Sequence, residues 1–363
     1  MSLKCGIVGL PNVGKSTIFR SLTNAKAEVA NFPFCTIDPN QGSIIVPDER
    51  LNILSTMFNP KKTTPSTVEI LDIAGLVKGA SKGEGLGNKF LANIREVDAI
   101  CHVVRCFDDG DIVHVSGKVD PVGDIETIIT ELELKDLEVV TNRFKKLEKL
   151  ANHDTNAKIE LPVVEKIKKG LEDGVTVRQI GLDKTEISMI KELNLLTQKP
   201  VLYVANVSEE DLPDGSDYVR KVEEFAKKDG SSVVVISGRI EQELADLSDE
   251  ERDEFLDSYG LKEPGKYKLI RSVFSLLGLI TYFTAGEKEV RSWEIPDGFK
   301  APQAAGVIHS DFERGFIAAE VVSFENVQSS GSLLDAKNRG LVKLEGKEYL
   351  VKDGDCCIFR FSV

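Results

Sequence analysis

The first third of the chain alternates short hydrophobic runs with polar segments that contain glycine. The runs 4–9, 68–72 and 99–106 are rich in β-branched residues and end at Gly or at charged residues, which is typical of buried strands. A helix is predicted from about Lys15 to Asn24, soon after the first run. Strands that alternate with helices in this way predict an α/β fold with a doubly wound, mostly parallel sheet. Two later runs have the same strand character, at 200–206 and 232–237.

Between these two groups of runs, the hydrophobic positions change to a helical spacing. Apolar residues recur at alternating intervals of three and four, at Leu137, Val140, Phe144, Leu147 and Ala151. This spacing is typical of a coiled-coil seam. We therefore predict that residues 122–198 form a helical coiled-coil insertion, folded as an antiparallel hairpin. The insertion would interrupt an α/β domain made of residues 1–121 and 199–276.

The last part of the chain has a third pattern, in which short strand-like runs have little helix between them. These runs lie at 279–284, 290–294, 320–323, 341–344 and 356–361. They predict a small α+β domain over residues 277–363. Cys356 and Cys357 would point to opposite faces of the last strand, so at most one of them is expected to be buried.

Composition and charge exclude several classes of protein. The 46 basic and 59 acidic residues give a formal net charge of −13, which argues against binding to nucleic acid or membrane through bulk charge. No apolar run reaches the ~18 residues of a membrane-spanning helix, and the N-terminus lacks a signal-peptide pattern. We expect a cytoplasmic protein without membrane association. Cys101, His102 and Cys106 are too few for a metal site, and they lie in a strand-like run, which favours a buried structural role.

The segment Gly9–Ser16 lies between the first predicted strand and the first predicted helix. It reads G-L-P-N-V-G-K-S and matches G-x-x-x-x-G-K-[ST], in which backbone N–H groups of the loop and helix N-terminus bind phosphates. In this arrangement the Lys neutralises phosphate charge during phosphoryl transfer, and the Ser hydroxyl binds Mg²⁺. Lys15 is therefore predicted to act in catalysis as well as in binding. The predicted nucleotide-binding residues of this segment are Asn12, Val13, Gly14, Lys15, Ser16 and Thr17.

A second acidic position is expected at the end of a neighbouring strand. Asp72 follows the run 68–72 and is predicted to hold a Mg²⁺-bound water, while the N–H of Gly75 approaches the γ-phosphate. Thr36 lies between the two motifs and can complete the Mg²⁺ shell in the triphosphate state, as switch loops do. The predicted metal ligands are thus Ser16, Thr36 and Asp72. The glycines of residues 75–87 predict a mobile second switch loop.

The base-reading segment departs from the guanine-specific pattern Asn-Lys-x-Asp. The run 200–206 ends in Asn206-Val-Ser-Glu209, so Val207 replaces the Lys that covers the ring, and the longer Glu209 replaces the Asp that accepts from guanine. Without this carboxylate geometry the preference for guanine is relaxed or reversed, so we favour ATP over GTP. Ser237 and Gly238, after the next strand, are predicted to contact the base through the backbone.

Together these motifs resemble the YchF family, the Obg-like ATPases among the translation-factor-related P-loop NTPases. The resemblance covers essentially the whole chain, and it is carried by Gly9–Ser16, Asn31–Thr36, 72–87, Asn206–Glu209 and 281–291. It implies a nucleotide-binding domain with a coiled-coil insertion, and a C-terminal TGS domain of β-grasp type. It also implies Mg²⁺-dependent hydrolysis of ATP, with GTP a poorer substrate, and association with ribosomal RNA and proteins in translation or stress regulation. A monomer is expected.

One catalytic element is missing from the predicted site. Leu76 occupies the position where many GTPases have a Gln that orients the attacking water, so slow intrinsic turnover is predicted. The resemblance implies a catalytic histidine at His114. A K⁺ ion is a second candidate, because Asn12 matches the Asn with which related Obg-type loops bind K⁺.

Several alternatives stay open at this point. An Obg-type GTPase that acts on the ribosome, a P-loop small-molecule kinase, and a nucleotide-bound adaptor that barely hydrolyses would all contain the same phosphate loop. The basic residues of the helical insertion fit either a solvated face or a tip that binds ribosomal RNA phosphates. They are Arg143, Lys145, Lys146, Lys149, Lys166, Lys168 and Lys169.

Overall fold

The computed structural model describes residues 3–23, 41–73, 85–110, 117–213 and 215–362. The chain divides into two compact units. The first contains Met1–Ser43 and Glu69–Val273, and the second contains Ile44–Val68 and Phe274–Val363. In the described ranges, none of the helices has the length and apolar character needed to cross a membrane.

The described elements follow the sequence patterns closely. The strands are β1 (Lys4–Val8), β2 (Gln41–Ile45), β3 (Thr63–Thr64), β4 (Thr67–Asp72), β5 (Ala99–Arg105), β6 (Val201–Asn206), β7 (Ser232–Ile236), β8 (Leu279–Ala285), β9 (Val290–Pro296), β10 (Phe316–Ser323), β11 (Lys343–Glu345) and β12 (Asp355–Phe361). The α-helices are α1 (Lys15–Thr23), α2 (Glu49–Phe58), α3 (Gly85–Arg95), α4 (Pro121–Leu150), α5 (Thr155–Glu172), α6 (Lys184–Ile190), α7 (Asp217–Asp229), α8 (Gly238–Leu244), α9 (Asp249–Ser258), α10 (Gly265–Leu276), α11 (Ala301–Ile308), α12 (Ser310–Arg314), α13 (Phe324–Ser330) and α14 (Leu333–Asn338).

A six-stranded sheet with the order β2-β4-β1-β5-β6-β7 forms the centre of the first unit. Strand β1 pairs in parallel with β4 and β5, and the parallel pairing continues through β6 to β7. Every residue of β5 and β6 is buried, as expected for strands with both faces covered. The predicted parallel α/β fold is therefore confirmed. In such a sheet the carboxyl ends of the strands meet at one edge, where ligands usually bind.

The predicted helical insertion contains a long hairpin of α4 and α5. Val140 and Leu147 of α4 are buried against Val164 and Ile167 of α5, with Leu137 and Phe144 packed beside them. The predicted seam is confirmed at these four positions of α4. Ala151 lies just beyond the helix as its C-terminal cap. Near the tip, the guanidinium of Arg143 donates to both carboxylate oxygens of Glu160 at 2.7 and 2.5 Å.

The base of this hairpin is fixed by one buried carboxylate. Asp136 of α4 accepts hydrogen bonds from the backbone N–H groups of Leu196 and Thr197 at 2.9 and 2.8 Å. The Thr197 hydroxyl donates a third bond to it at 2.7 Å. These bonds satisfy a carboxylate that is 1% exposed, and they join α4 to the segment that leads into β6.

The second unit contains a mixed sheet with the order β11-β10-β12-β8-β9-β3. Strands β8 and β9 pair antiparallel, as do β10 and β12, whereas β12 and β8 pair in parallel. The predicted α+β character of this region is therefore confirmed. The sequence pattern predicts 44–68 as part of the first domain, whereas α2 and β3 belong to the second unit. There Leu54 of α2 is buried and β3 pairs with β9.

One expectation about the second unit is wrong. Both Cys356 and Cys357 are buried, at 3% and 2% exposed. The reason is that β12 has a hydrophobic core on each face. Cys357 packs with Tyr282 and Phe316, and Cys356 packs with Phe283 and Phe324 on the opposite side.

Candidate nucleotide site

The phosphate loop has the backbone conformation that its sequence requires. Gly14 has φ +89°, and Asn12 has φ +63°. A Cβ at position 14 would lie 2.1 Å from Nδ2 of Asn206, which is closer than any side chain tolerates. Only glycine therefore fits at position 14, both because of its backbone conformation and because of its neighbour.

The two charged residues of the predicted phosphate and metal site lie together. Nζ of Lys15, at the start of α1, forms an ion pair with Oδ1 of Asp72, at the end of β4. The side chains are only 11% and 16% exposed. The pairing follows from the sheet, because Ile7 of β1 lies opposite Asp72 in the parallel register. Ser16, the next residue in the helix, is exposed.

Asn206 connects the phosphate loop to the segment after β7. Its Nδ2 donates to the carbonyl of Val13 at 2.9 Å, and its Oδ1 accepts from the N–H of Gly238 at 2.9 Å. Asn206 is 5% exposed, so both bonds are buried. Val207 is held by its own N–H, which donates to the carbonyl of Ile236 at 2.9 Å. The carboxyl ends of β1, β6 and β7 are thereby tied into one framework.

These segments surround a cavity of about 890 Å³ at the carboxyl edge of the parallel sheet. The phosphate loop, the start of α1, the segment Asn206–Glu210 and the start of α8 all line it. The size is within the usual range for small-molecule and cofactor pockets. The predicted site residues that line it are Asn12, Gly14, Lys15, Ser16, Thr17, Asn206, Val207, Glu209, Ser237 and Gly238.

Charged side chains of the cavity lining are arranged around Glu209. A guanidinium nitrogen of Arg239, the second residue of α8, lies 3.5 Å from Oε1 of Glu209. A second nitrogen lies 3.5 Å from Glu243, one turn further along the helix. Glu209 is thus a partner of Arg239 in the structure. Close by, Oγ of Ser237 is buried and has no hydrogen-bond partner among the described residues.

Known proteins resemble this chain over its full length. Residues 4–143 match a family model described as "50S ribosome-binding GTPase", and residues 279–362 match the YchF GTPase C-terminal model, described as "Protein of unknown function (DUF933)". The chain is 54% identical to the "Ribosome-binding ATPase YchF" of Bacillus subtilis (strain 168) and 53% identical to that of Escherichia coli O157:H7, with full coverage of both partners. The chain belongs to the YchF family. The solved structure of the Schizosaccharomyces pombe YchF GTPase matches it with a TM-score of 0.90 at 40% identity, covering 99% of this chain and 98% of that one.

Three predicted residues of this YchF chain lie outside the described residues. They are Thr36, Gly75 and His114. Of the predicted switch loop 75–87, residues up to 84 lie outside as well, whereas Gly85 and Gly87 belong to α3. The predicted loop is therefore shorter than 75–87 at its C-terminal end.

Part of the cavity lining has no counterpart among the predicted site residues. Phe107, Asp108 and Asp109, directly after β5, line it, and so do Arg239 and Gln242 of α8. None of these residues belongs to a recognisable motif. Only their position in the chain could have indicated them, because ligands bind beside the residues that follow the carboxyl ends of parallel strands.

His102 and Cys101 are buried in β5, and Cys106 is buried directly after it, as the sequence pattern favoured. His102 is 3% exposed and lies against the ring of Tyr203. Burial, with the charge of Arg178 nearby, lowers the pKa of His102 to about 3, so the imidazole is neutral at physiological pH. Cys101 and Cys106 are also buried.

Proposed function

We propose that this chain is an ATP-hydrolysing molecular switch that binds the ribosome. The observation that carries the proposal is the continuous cavity that joins the phosphate loop to Asn206–Glu210 and Arg239. The names of the relatives, ribosome-binding ATPases with full-length similarity, support the same function. Hydrolysis of a nucleoside triphosphate, without regard to the base, is common to the family.

The phosphate end fits a magnesium ion by its donor chemistry. A hydroxyl at Ser16 and a carboxylate at Asp72 are hard oxygen donors, which Mg²⁺ prefers together with phosphate oxygens and water. When bound, Mg²⁺ would neutralise charge on the β- and γ-phosphates. Lys15 would then pair with the phosphates in place of Asp72. The Asp72 carboxylate would be left to accept from a metal-bound water. Thr36 and the N–H of Gly75 complete the proposed set.

The base end supports a preference for ATP over GTP. A guanine reader needs a carboxylate free to accept two N–H groups, whereas Glu209 lies beside Arg239. Val207 lacks the long aliphatic chain with which a lysine covers the purine ring, and it is only 3% exposed. Adenine has an acceptor at N1 where guanine has a donor, so a carboxylate drawn towards Arg239 repels adenine less than one that faces the base. GTP would still enter, as the weaker substrate.

Hydrolysis is tested with the purified full chain and with Lys15→Ala as the inactive control. We expect slow release of phosphate from ATP, slower release from GTP, and no requirement for an acceptor metabolite. A requirement for an acceptor would identify a kinase instead. Faster turnover of GTP than of ATP would identify an Obg-type GTPase.

The catalytic element that replaces the missing Gln is proposed to be His114, with a K⁺ ion at Asn12 as the alternative. Single-turnover hydrolysis by His114→Ala separates them, because an unchanged rate excludes the histidine. Equal wild-type rates in K⁺ and Na⁺ exclude the cation.

Ribosome binding is proposed to involve the tip of the hairpin. Lys145, Lys146 and Lys149 are exposed there, and among the described residues none of the three forms an ion pair. By contrast, Lys166 and Lys168 pair with Glu186 and Glu172. Free cations on an exposed tip suit RNA phosphates.

This interaction is expected to depend on salt. Changing Lys145, Lys146 and Lys149 to Ala should weaken ribosome binding and lower its salt dependence by roughly one slope unit for each RNA phosphate that the variant no longer binds. The double variant Lys166→Ala, Lys168→Ala is the matched control and should retain most binding. Equally weakened binding in both variants would contradict a specific role of the tip. A ribosome partner also implies the cytoplasm, where we propose that the chain acts as a monomer.

A further inference from the structure

Arg105 is a charged side chain that lies almost completely inside the first unit. It is the last residue of β5 and is 1% exposed. A guanidinium is always charged, so burying it requires compensating hydrogen bonds. No sequence motif includes this residue, and the proposed hydrolysis does not use it.

Two partners of Arg105 are backbone groups of the cavity wall. Its Nε donates to the carbonyl of Phe107 at 3.1 Å, and its Nη2 donates to the carbonyl of Asp109 at 3.2 Å. The guanidinium carbon also lies 4.7 Å from the centroid of the Phe107 ring. One planar group therefore fixes two carbonyls and one aromatic ring in the segment 107–109, which lines the cavity.

The wall lies next to the base-reading segment because of the sheet register. Arg105 is opposite Asn206 in the parallel pairing of β5 and β6, and the N–H of Cys106 donates to the carbonyl of Asn206 at 2.8 Å. The segments 107–109 and 206–210 thus leave neighbouring strands at the same level. A planar base held by one of them is within reach of the other.

The same wall is held from outside by a hydrogen bond that serves as a control. The hydroxyl of Tyr218, in α7, donates to Asp108 at 3.1 Å. This bond fixes the Asp108 side chain, whereas Arg105 fixes the main chain and the ring of Phe107. Removal of the Tyr218 hydroxyl should therefore leave the aromatic surface in place.

We propose that Arg105 is a positioning residue for purine recognition, because its buried guanidinium holds the Phe107–Asp109 wall against the base. This inference rests on the proposed function of the cavity as a nucleotide site. It predicts that Arg105 contributes to the affinity for the base and leaves the affinity for the triphosphate unchanged. Lysine is a poor substitute, because a single ammonium cannot bind two carbonyls in a fixed plane and stack on a ring.

The test compares ATP with inorganic tripolyphosphate, which has the phosphates but no base. Binding of both, with Mg²⁺, is measured for the wild type and for Arg105→Lys, Arg105→Gln and Tyr218→Phe. For Arg105→Gln we expect ATP affinity to fall by between about fivefold and about a hundredfold, the range for loss of base–aromatic stacking. Arg105→Lys should lie between Arg105→Gln and the wild type. Tripolyphosphate affinity should stay within about twofold in every variant, and Tyr218→Phe should bind ATP like the wild type.

Three other outcomes would overturn the inference about Arg105, and a fourth would contradict the proposed function of the cavity. Unchanged ATP affinity in both Arg105 variants overturns the inference, and so does an equal loss of affinity for ATP and tripolyphosphate. Failure of both variants to fold also overturns it, because the guanidinium would then be needed for folding and not for base recognition. A wild type that binds tripolyphosphate but gains nothing from the adenine base contradicts the proposed function itself, and this result is distinct from the other three.

Discussion

The link through Asn206 makes a prediction that can be worked out from two hydrogen bonds. Replacing Asn206 with Ala removes the donor to the Val13 carbonyl and the acceptor of the Gly238 N–H, both at 2.9 Å. A buried polar group left without a partner costs about 1–3 kcal/mol. Two such groups beside an open cavity, where water can replace part of each bond, lower the local free energy of unfolding by about 2–4 kcal/mol.

Asn206→Asp separates the two halves of the link. The carboxylate can still accept from the Gly238 N–H, but it places an oxygen where Nδ2 donated to the Val13 carbonyl. We therefore expect the Gly238 amide to stay protected from hydrogen exchange in Asn206→Asp and to lose protection in Asn206→Ala. Both variants should release the phosphate loop and weaken ATP binding.

The assay is hydrogen exchange of the full-length protein without nucleotide, since local opening free energies are read directly from protection. Asn156→Ala, at an exposed position near the tip of the hairpin, is the control and should change little. An opening free energy in Asn206→Ala within about 0.5 kcal/mol of the wild type would refute the reasoning, because the two bonds would then carry no net energy.

Three further predictions concern other single residues. Gly14→Ala should weaken ATP binding more than tenfold, as measured by titration. The new methyl group would lie 2.1 Å from Nδ2 of Asn206, and the residue would have to keep a φ of +89°. An unchanged affinity would contradict this prediction. Asp136→Ala leaves two N–H groups and a hydroxyl of residues 196–197 without their acceptor. The free energy of unfolding should fall by about 2–4 kcal/mol, and limited proteolysis at residues 196–197 should be faster. Cleavage at the wild-type rate would count against this prediction. Burial raises the pKa of Glu241 from 4.5 to about 7, so the folded state binds the proton of this carboxyl more tightly than the unfolded state does. The stability that this proton contributes is lost as the pH rises from 4.5 through 7. The wild type should therefore lose roughly 3 kcal/mol relative to Glu241→Gln between pH 4.5 and 8 in urea denaturation, and parallel pH profiles would exclude this role of Glu241.

The sequence predicts where the phosphate loop lies in the fold, because the information there is local. The segment Gly9–Ser16 contains its own turn residues and lies between a strand and a helix, so its place in the fold follows from neighbouring residues. Asp72 and Asn206 could be placed for a similar reason, since each ends a buried apolar run. Parallel pairing then brings the three together at one edge.

The rest of the site and fold depends on contacts between distant parts of the chain. Residues 44–68 belong to the second unit because Thr63 pairs with Val290, a partner that no local pattern identifies. Cys356 and Cys357 are both buried because β12 is covered on both faces, whereas a simple alternation predicts one. Arg105 is a charged residue in an apolar run, and its carbonyl partners become evident only when the cavity wall is seen.

The central claim is that one cavity binds a triphosphate through its phosphate loop and selects adenine through the segment Asn206–Glu209. The most direct test is a calorimetric titration of the full chain with ATP and with GTP in Mg²⁺, alongside Lys15→Ala. We predict tighter binding of ATP than of GTP by the wild type, and no binding of either nucleotide by the variant. Selective, tight binding of GTP, or undiminished binding by Lys15→Ala, would contradict the claim.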